Sequence, residues 1–142
     1  VRTFEAAAYL RGLGADTVSV KKMFHENLEI YRLKSELVAN AQVYNAAAIA
    51  VTEDDFSAYR VAAAQAADDL LSVQGVNASF VVCRINRDVY ISARSFGECN
   101  VQLIMESLGG GGHLTMAATQ LSNCTIDEAV DRLKKAIDAY LD

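Results

Sequence analysis

Two alternating segments, Ser79 to Asn86 and Asp88 to Ser95, are joined by a tight polar turn around Arg87, and that pairing dictates an antiparallel hairpin. Period-two alternation puts Tyr90, Ser92 and Arg94 on one face of the second strand and Val89, Ile91 and Ala93 on the other, so Arg94 leaves the apolar face. The apolar run Ala46 to Val51 is too short for a helix and reads as a buried strand ended by Thr52-Glu53-Asp54-Asp55. Ala-rich Tyr59 to Leu71, with Val61, Ala64, Leu70 and Leu71 at helical intervals, reads as a helix closed by Gly75. Val101, Ile104, Met105 and Leu108 mark a short helix running into glycines, and Met116 to Leu121 reads as another strand. Thr125-Ile126-Asp127-Glu128 is a capping box for a last helix striped by Ile126, Val130, Leu133, Ile137 and Tyr140. Near the start, Thr3 is placed to cap a helix ended by Gly14, and Asp16 opens a second helical stretch. A third, from about Glu26 to Ala41, carries Ile30, Leu33, Leu37 and Ala41 on one stripe. Strands interleaved with helices and a hairpin predict an α/β fold, a mixed β-sheet covered by helices.

With 142 residues, 52% hydrophobic and 22% charged, the chain supports one core rather than two. Its formal charge of -5 argues against a broad basic face for duplex DNA, so any anion must be held locally. Apolar stretches fall well short of the roughly 20 residues that cross a bilayer, which predicts a soluble piece without direct membrane contact. Cys83, Cys99 and Cys124 are odd in number and lack the paired spacing of a zinc site; they read as reduced, buried hydrophobes in a cytosolic setting. The chain starts at Val1 without an initiator Met and Thr3 to Leu13 already reads as helix, which suggests excision from something larger.

Gly109-Gly110-Gly111-Gly112-His113 is the most unusual local feature. One reading is a helix cap and a flexible loop. The other starts from entropy: four consecutive glycines are costly to order, so something is expected to approach this backbone closely. Successive amides free of side chains form a concave nest for an anion, with phosphate the usual occupant. No Walker-type Lys-Ser/Thr follows, which excludes a P-loop, and a Rossmann fingerprint does not fit either. His113 is placed to donate to a phosphate oxygen or move a proton, and Arg94 beside Ser95 to grip phosphate in two-pronged fashion. His25, in an amphipathic stretch, reads as a surface or core residue rather than a ligand. No metal-ligand spacing and no local nucleophile-base pattern appears, so the sequence offers binding groups without a catalytic centre.

The segments Ile91-Ser92-Ala93-Arg94-Ser95, Asn100-Val101-Gln102-Leu103-Ile104-Met105, Leu108 to Leu114 and Ala117-Ala118-Thr119-Gln120 together resemble the DHH-associated domain of DHH-family phosphoesterases. The opening Arg2-Thr3-Phe4-Glu5-Ala6-Ala7, followed by Gly14-Ala15-Asp16-Thr17-Val18, is similar to the end of the DHH lobe and its linker in GdpP/YybT-type cyclic di-AMP phosphodiesterases of Gram-positive bacteria. The resemblance implies residues 1–41 as lobe end and helical linker, and 42–142 as the substrate-binding associated domain. It implies an absent DHH lobe that holds two Mn2+ and performs hydrolysis of cyclic di-AMP to pApA, leaving this piece inactive alone, with no catalytic or metal-binding residue and no cofactor of its own. It further implies that Arg94 and the amides of Gly110, Gly111, Gly112 and His113 cradle phosphate while Ser95 and Asn100 shape the pocket. The implied partners are a cyclic dinucleotide or short oligonucleotide and the absent lobe, in a membrane-anchored parent working at the cytoplasmic face.

Two other readings stay open. One keeps the fold and makes the parent an oligoribonuclease or exonuclease of the same superfamily, against which stand the acidic charge, the absence of Trp and thinly spread aromatics. The other is a non-enzymatic interaction or dimerisation module whose partner face is the stripe of Glu26 to Ala41. Apolar faces at residues 1–41 cut off from their lobe predict a homo-oligomer.

Overall fold

The hairpin is present: β3 (Ala78–Ile85) and β4 (Asp88–Ser95) pair antiparallel from Ala78↔Ser95 to Ile85↔Asp88, with Asn86 at φ 58° in the turn. The computed structural model describes residues 2–12, 14, 18 and 28–142. The remaining elements are α1 (Arg2–Gly12), α2 (Leu28–Ala39), β1 (Gln42–Tyr44), β2 (Ala47–Asp55) and α3 (Arg60–Leu70), then α4 (Val101–Ser107), β5 (Gly111–Gly112), β6 (Met116–Leu121) and α5 (Ile126–Leu141). One six-stranded sheet runs β1-β2-β3-β4-β6-β5; β2 and β3 are parallel across the α3 crossover and every other pair is antiparallel. This is the mixed, helix-covered α/β sheet that the sequence predicts.

Where the length suggests one core, alternation along the strands sends apolar side chains to both faces of the single sheet and so divides the interior into two cores. Ile49, Phe80, Val82, Val89, Ile91, Ala117 and Leu121 pack under α4 and α5, with Ile104, Met105, Ile126, Leu133 and Ile137 opposite them. Ala48, Ala50, Val81 and Cys83 pack under α2 and α3. The expected stripe, Ile30, Leu33 and Leu37 of α2 with Ala41 just past its end, is spent on that second core, so it does not stand free as a partner face. Thr125 caps α5 as expected, its Oγ1 accepting from Glu128 N at 3.1 Å. The second core ends before the sheet does. On its side, β6 presents Met116 and Gln120 to solvent, and none of the described helices covers them.

Several local expectations shift. The buried face of α3 is alanine (Ala62, Ala63, Ala66, Ala67) with Leu70, while Val61 is exposed, because small residues let the helix sit close to the sheet. β2 begins at Ala47 and runs on through the polar residues to Asp55; Ala46 lies in a turn with Asn45, both at positive φ, which folds the short β1 back onto β2. Thr3 lies inside α1 rather than capping it, whereas Gly14, at φ 95°, takes the left-handed position after the helix. Apart from Val18, the stretch opened by Asp16 lies outside the described residues, as do His25 and the start of the third helix at Glu26.

Candidate functional site

The glycine run is organised by the elements around it. Asn100 caps α4, its Oδ1 accepting from Gln102 N (3.1 Å) and Leu103 N (3.4 Å), and its own N–H donates to the Tyr140 hydroxyl at 2.9 Å. At the other end of α4, Gly109 at φ 84° turns the chain, and the amides of Gly109 and Gly110 donate to the Glu106 and Met105 carbonyls. The Thr119 hydroxyl donates to the Leu108 carbonyl at 3.0 Å, so the helix end is closed.

Gly111 and Gly112 form β5, a two-residue edge strand facing Ala118 and Ala117 of β6, where the sequence suggested a loop. His113 and Met116 exchange both backbone bonds across the turn Leu114-Thr115. Antiparallel alternation then pairs Gly111 with Ala118 and turns the N–H and C=O of Gly112 toward the open edge of the sheet. The close approach expected at the glycines is partly the chain's own. A Cβ on Gly110 would lie 2.1 Å from the Ala118 carbonyl oxygen, and one on Gly112 2.4 Å from Ala117 Cα. Gly111 differs: nothing lies within 4 Å of the position its Cβ would take. Of the amides expected to form a nest, those of Gly110 and His113 donate within the chain.

The register collects side chains from three strands on one face. Arg94 of β4 stands opposite Met116 of β6, which stands opposite His113 after β5. Two strand spacings therefore separate Arg94 from His113, roughly 10 Å. The next row is Ser92, Ala118 and Gly111, a floor of small residues. Arg94 is largely buried; its Nη1 donates to its own neighbour Ala93 O at 2.8 Å, and its Nε lies 3.2 Å from Asp68 Oδ1 but off the hydrogen-bond line. The Ser92 hydroxyl is buried without a partner among the described residues. His113 is exposed.

Ser95 and Asn100 sit apart from that face. Ser95 is buried, its hydroxyl donating to Cys99 O at 2.7 Å and reaching Leu114 O at 3.2 Å, while its N–H donates to Thr115 O. It anchors the turn that carries His113, as Asn100 anchors the helix that delivers the glycines. Sequence reasoning missed Met116 and the exposed Phe96 and Leu114 at the rim. The parity of β6 already carried the signal for Met116. A cavity of about 270 Å³, lined by residues such as Tyr44, Ile49, Val130 and Lys134, lies at the β1 edge, far across the sheet from the glycines. Its Lys134 ammonium sits 5.2 Å from the centre of the Tyr44 ring, whose hydroxyl donates to Asp138.

Comparison with known proteins gives the same architecture a family. The DHHA1 domain profile matches residues 38–142. The chain is 52% identical over 141 residues to the cyclic-di-AMP phosphodiesterase PdeA of Listeria monocytogenes, covering 98% of this chain. It is 50% identical over 145 residues to the cyclic-di-AMP phosphodiesterase GdpP of Bacillus subtilis. In each case it spans 22% of the relative's length. Among solved structures, an exopolyphosphatase-related protein from Bacteroides fragilis superimposes with a TM-score of 0.83 over 98% of this chain and 43% of that one, at 20% identity. The Thermus thermophilus RecJ structure gives 0.57 over 77% of this chain and 16% of that one, at 14% identity. The chain belongs to the DHHA1 domain family.

Proposed function

We propose that this chain is the substrate-holding portion of a DHH-family phosphodiesterase that hydrolyses cyclic di-AMP to pApA. The observation that carries the reading is the row Arg94, Met116, His113 at the uncovered end of the sheet, a guanidinium and an imidazole flanking an apolar side chain. Phosphate is met by the cationic and N–H groups, and a base by the apolar surface between and beside them. The names of the relatives at 52% and 50% identity support the substrate class.

In this reading Arg94 and His113 neutralise and orient the phosphodiester, the open Gly111 gives it room to approach while Gly110 and Gly112 seat β6, and Ser95 and Asn100 hold that machinery in place. The outward N–H of Gly112 adds a donor. Among the described residues no three His, Cys, Asp or Glu side chains converge as a metal site. The two Mn2+ of the reading, which supply the activated hydroxide, are assigned to the part of the polypeptide beyond this chain, and binding and orientation are this chain's share. The apolar side chains of Phe4, Tyr9, Leu28 and Tyr31, exposed here, are assigned to contact with that part. A parent working at the cytoplasmic face of a membrane completes the proposal; no helix among the described residues is long and apolar enough to cross one.

Titration calorimetry of the full-length polypeptide with cyclic di-AMP and with a short RNA tests it. Arg94→Ala and His113→Ala are each expected to weaken cyclic di-AMP binding by about 1 to 3 kcal/mol, the worth of a charged hydrogen bond. Unchanged affinity in both variants refutes the site, and tighter binding of RNA than of cyclic di-AMP refutes the substrate.

A further inference from the structure

Arg94 has one anion beside it already. Asp68, in the last turn of α3, brings Oδ1 to 3.2 Å from Arg94 Nε. Three features show that this carboxylate is not what orients the guanidinium. The Asp68 side chain is 61% exposed against 12% for Arg94, so water competes for it. The contact is off the hydrogen-bond line, leaving the buried Nε without a bonded partner among the described residues. Orientation comes instead from burial and from the bond of Nη1 to the Ala93 carbonyl at 2.8 Å.

Nor does the helix need this carboxylate. The last turn of α3 carries no basic residue, and a negative charge at a helix C-terminus opposes the dipole. Asp68 therefore stands where it helps neither the helix nor the geometry of Arg94, but where it offsets the charge that a phosphate would meet.

We propose that Asp68 is a displaceable counter-anion for Arg94, occupying the guanidinium when the site is empty and lowering its affinity for a phosphate ester. The inference rests on the assignment of Arg94 to phosphate. Arrival of the ligand exchanges one anion for another, and Asp68 turns into water at little cost because it is already mostly solvated. The consequence for a cyclic nucleotide phosphodiesterase is easier release of a charged product.

The test is calorimetric titration of the full-length polypeptide with two probes, cyclic di-AMP and inorganic phosphate, in low salt. Asp68→Asn is expected to tighten both by roughly two- to fivefold, the range of a partly exposed ion pair, without lowering the melting temperature. Asp68→Glu, which keeps the charge, stays near the wild-type affinity. In an Arg94→Gln background the Asp68→Asn effect vanishes. Equal or weaker binding by Asp68→Asn, tightening that persists without Arg94, or no binding of either probe by wild type and Asp68→Asn alike overturns the proposal. Failure of the substrate reading looks different: cyclic di-AMP binding is then indifferent to Arg94→Gln, while Arg94-dependent tightening of phosphate by Asp68→Asn still supports the counter-anion.

Discussion

Placing one methyl group at each of three successive glycines separates what the fold requires from what a ligand requires. On Gly110 the new Cβ falls 2.1 Å from the Ala118 carbonyl oxygen and 2.5 Å from Thr119 Cβ, both far inside the 3.0 Å that real contacts respect. The obstacle is strand β6 rather than a flexible tip, so α4 and β6 must part, at about 1 to 3 kcal/mol. Gly112→Ala meets Ala117 Cα and the Met116 carbonyl oxygen, each at 2.4 Å, and also inherits φ 148°, which adds roughly 1 to 3 kcal/mol of backbone strain. Gly111→Ala meets nothing and has no positive φ, so loss of unfolded-state entropy stabilises it by about 0.4 to 1 kcal/mol. Thermal unfolding at about 2 to 4 °C per kcal/mol resolves these differences. Gly110→Ala and Gly112→Ala are expected to melt several degrees low and Gly111→Ala level with or above wild type, while Gly111→Ala still binds cyclic di-AMP more weakly. Three variants destabilised alike would refute the packing argument, and a stable Gly111→Ala with undiminished affinity would show that no ligand approaches there.

Other consequences are as direct. Thr125→Ala removes the acceptor for the Glu128 amide and is expected to cost about 1 kcal/mol in a denaturant titration, with no change in ligand affinity. Burial pushes the Cys83 thiol up to about 12, so at pH 8 only about one molecule in ten thousand carries the thiolate. Native Cys83 should resist iodoacetamide by mass spectrometry until the protein unfolds. The Ser57 hydroxyl and amide hold the Asp55 carboxyl below its usual range. A depressed folded-state value means stability that is present above the ordinary 3.8 and is lost as pH falls through the folded value. Ser57→Ala should therefore raise the Asp55 titration seen by NMR and move acid unfolding to higher pH.

What could be read from the sequence was what is local and periodic. Alternation fixed the faces of β4, which separates Arg94 from Val89, Ile91 and Ala93, and the limits of β6. Strands of three and two residues, β1 and β5, are too short to show a period, and they are where the expectation fell silent or suggested a loop. The glycine run was legible as a demand for close approach but not as to what approaches: at Gly110 and Gly112 it is β6, brought back by a turn only two residues long. Ser95 and Asn100 were expected to shape the pocket, whereas the hydrogen bonds that make them anchors depend on Cys99, Leu114 and Tyr140, partners that only the folded chain assembles. Asp68 had no signal at all, because a carboxylate on a helix meets Arg94 only once the crossover closes on the sheet.

The most direct test is a crystal structure of the full-length polypeptide with cyclic di-AMP bound. A phosphorus atom within about 5 Å of the Arg94 guanidinium, the His113 ring or the Gly112 amide is the result expected from hydrogen bonds of ordinary length. Phosphorus beside Lys134 in the cavity at the β1 edge, with Arg94 still on Asp68 and His113 in water, would contradict the account.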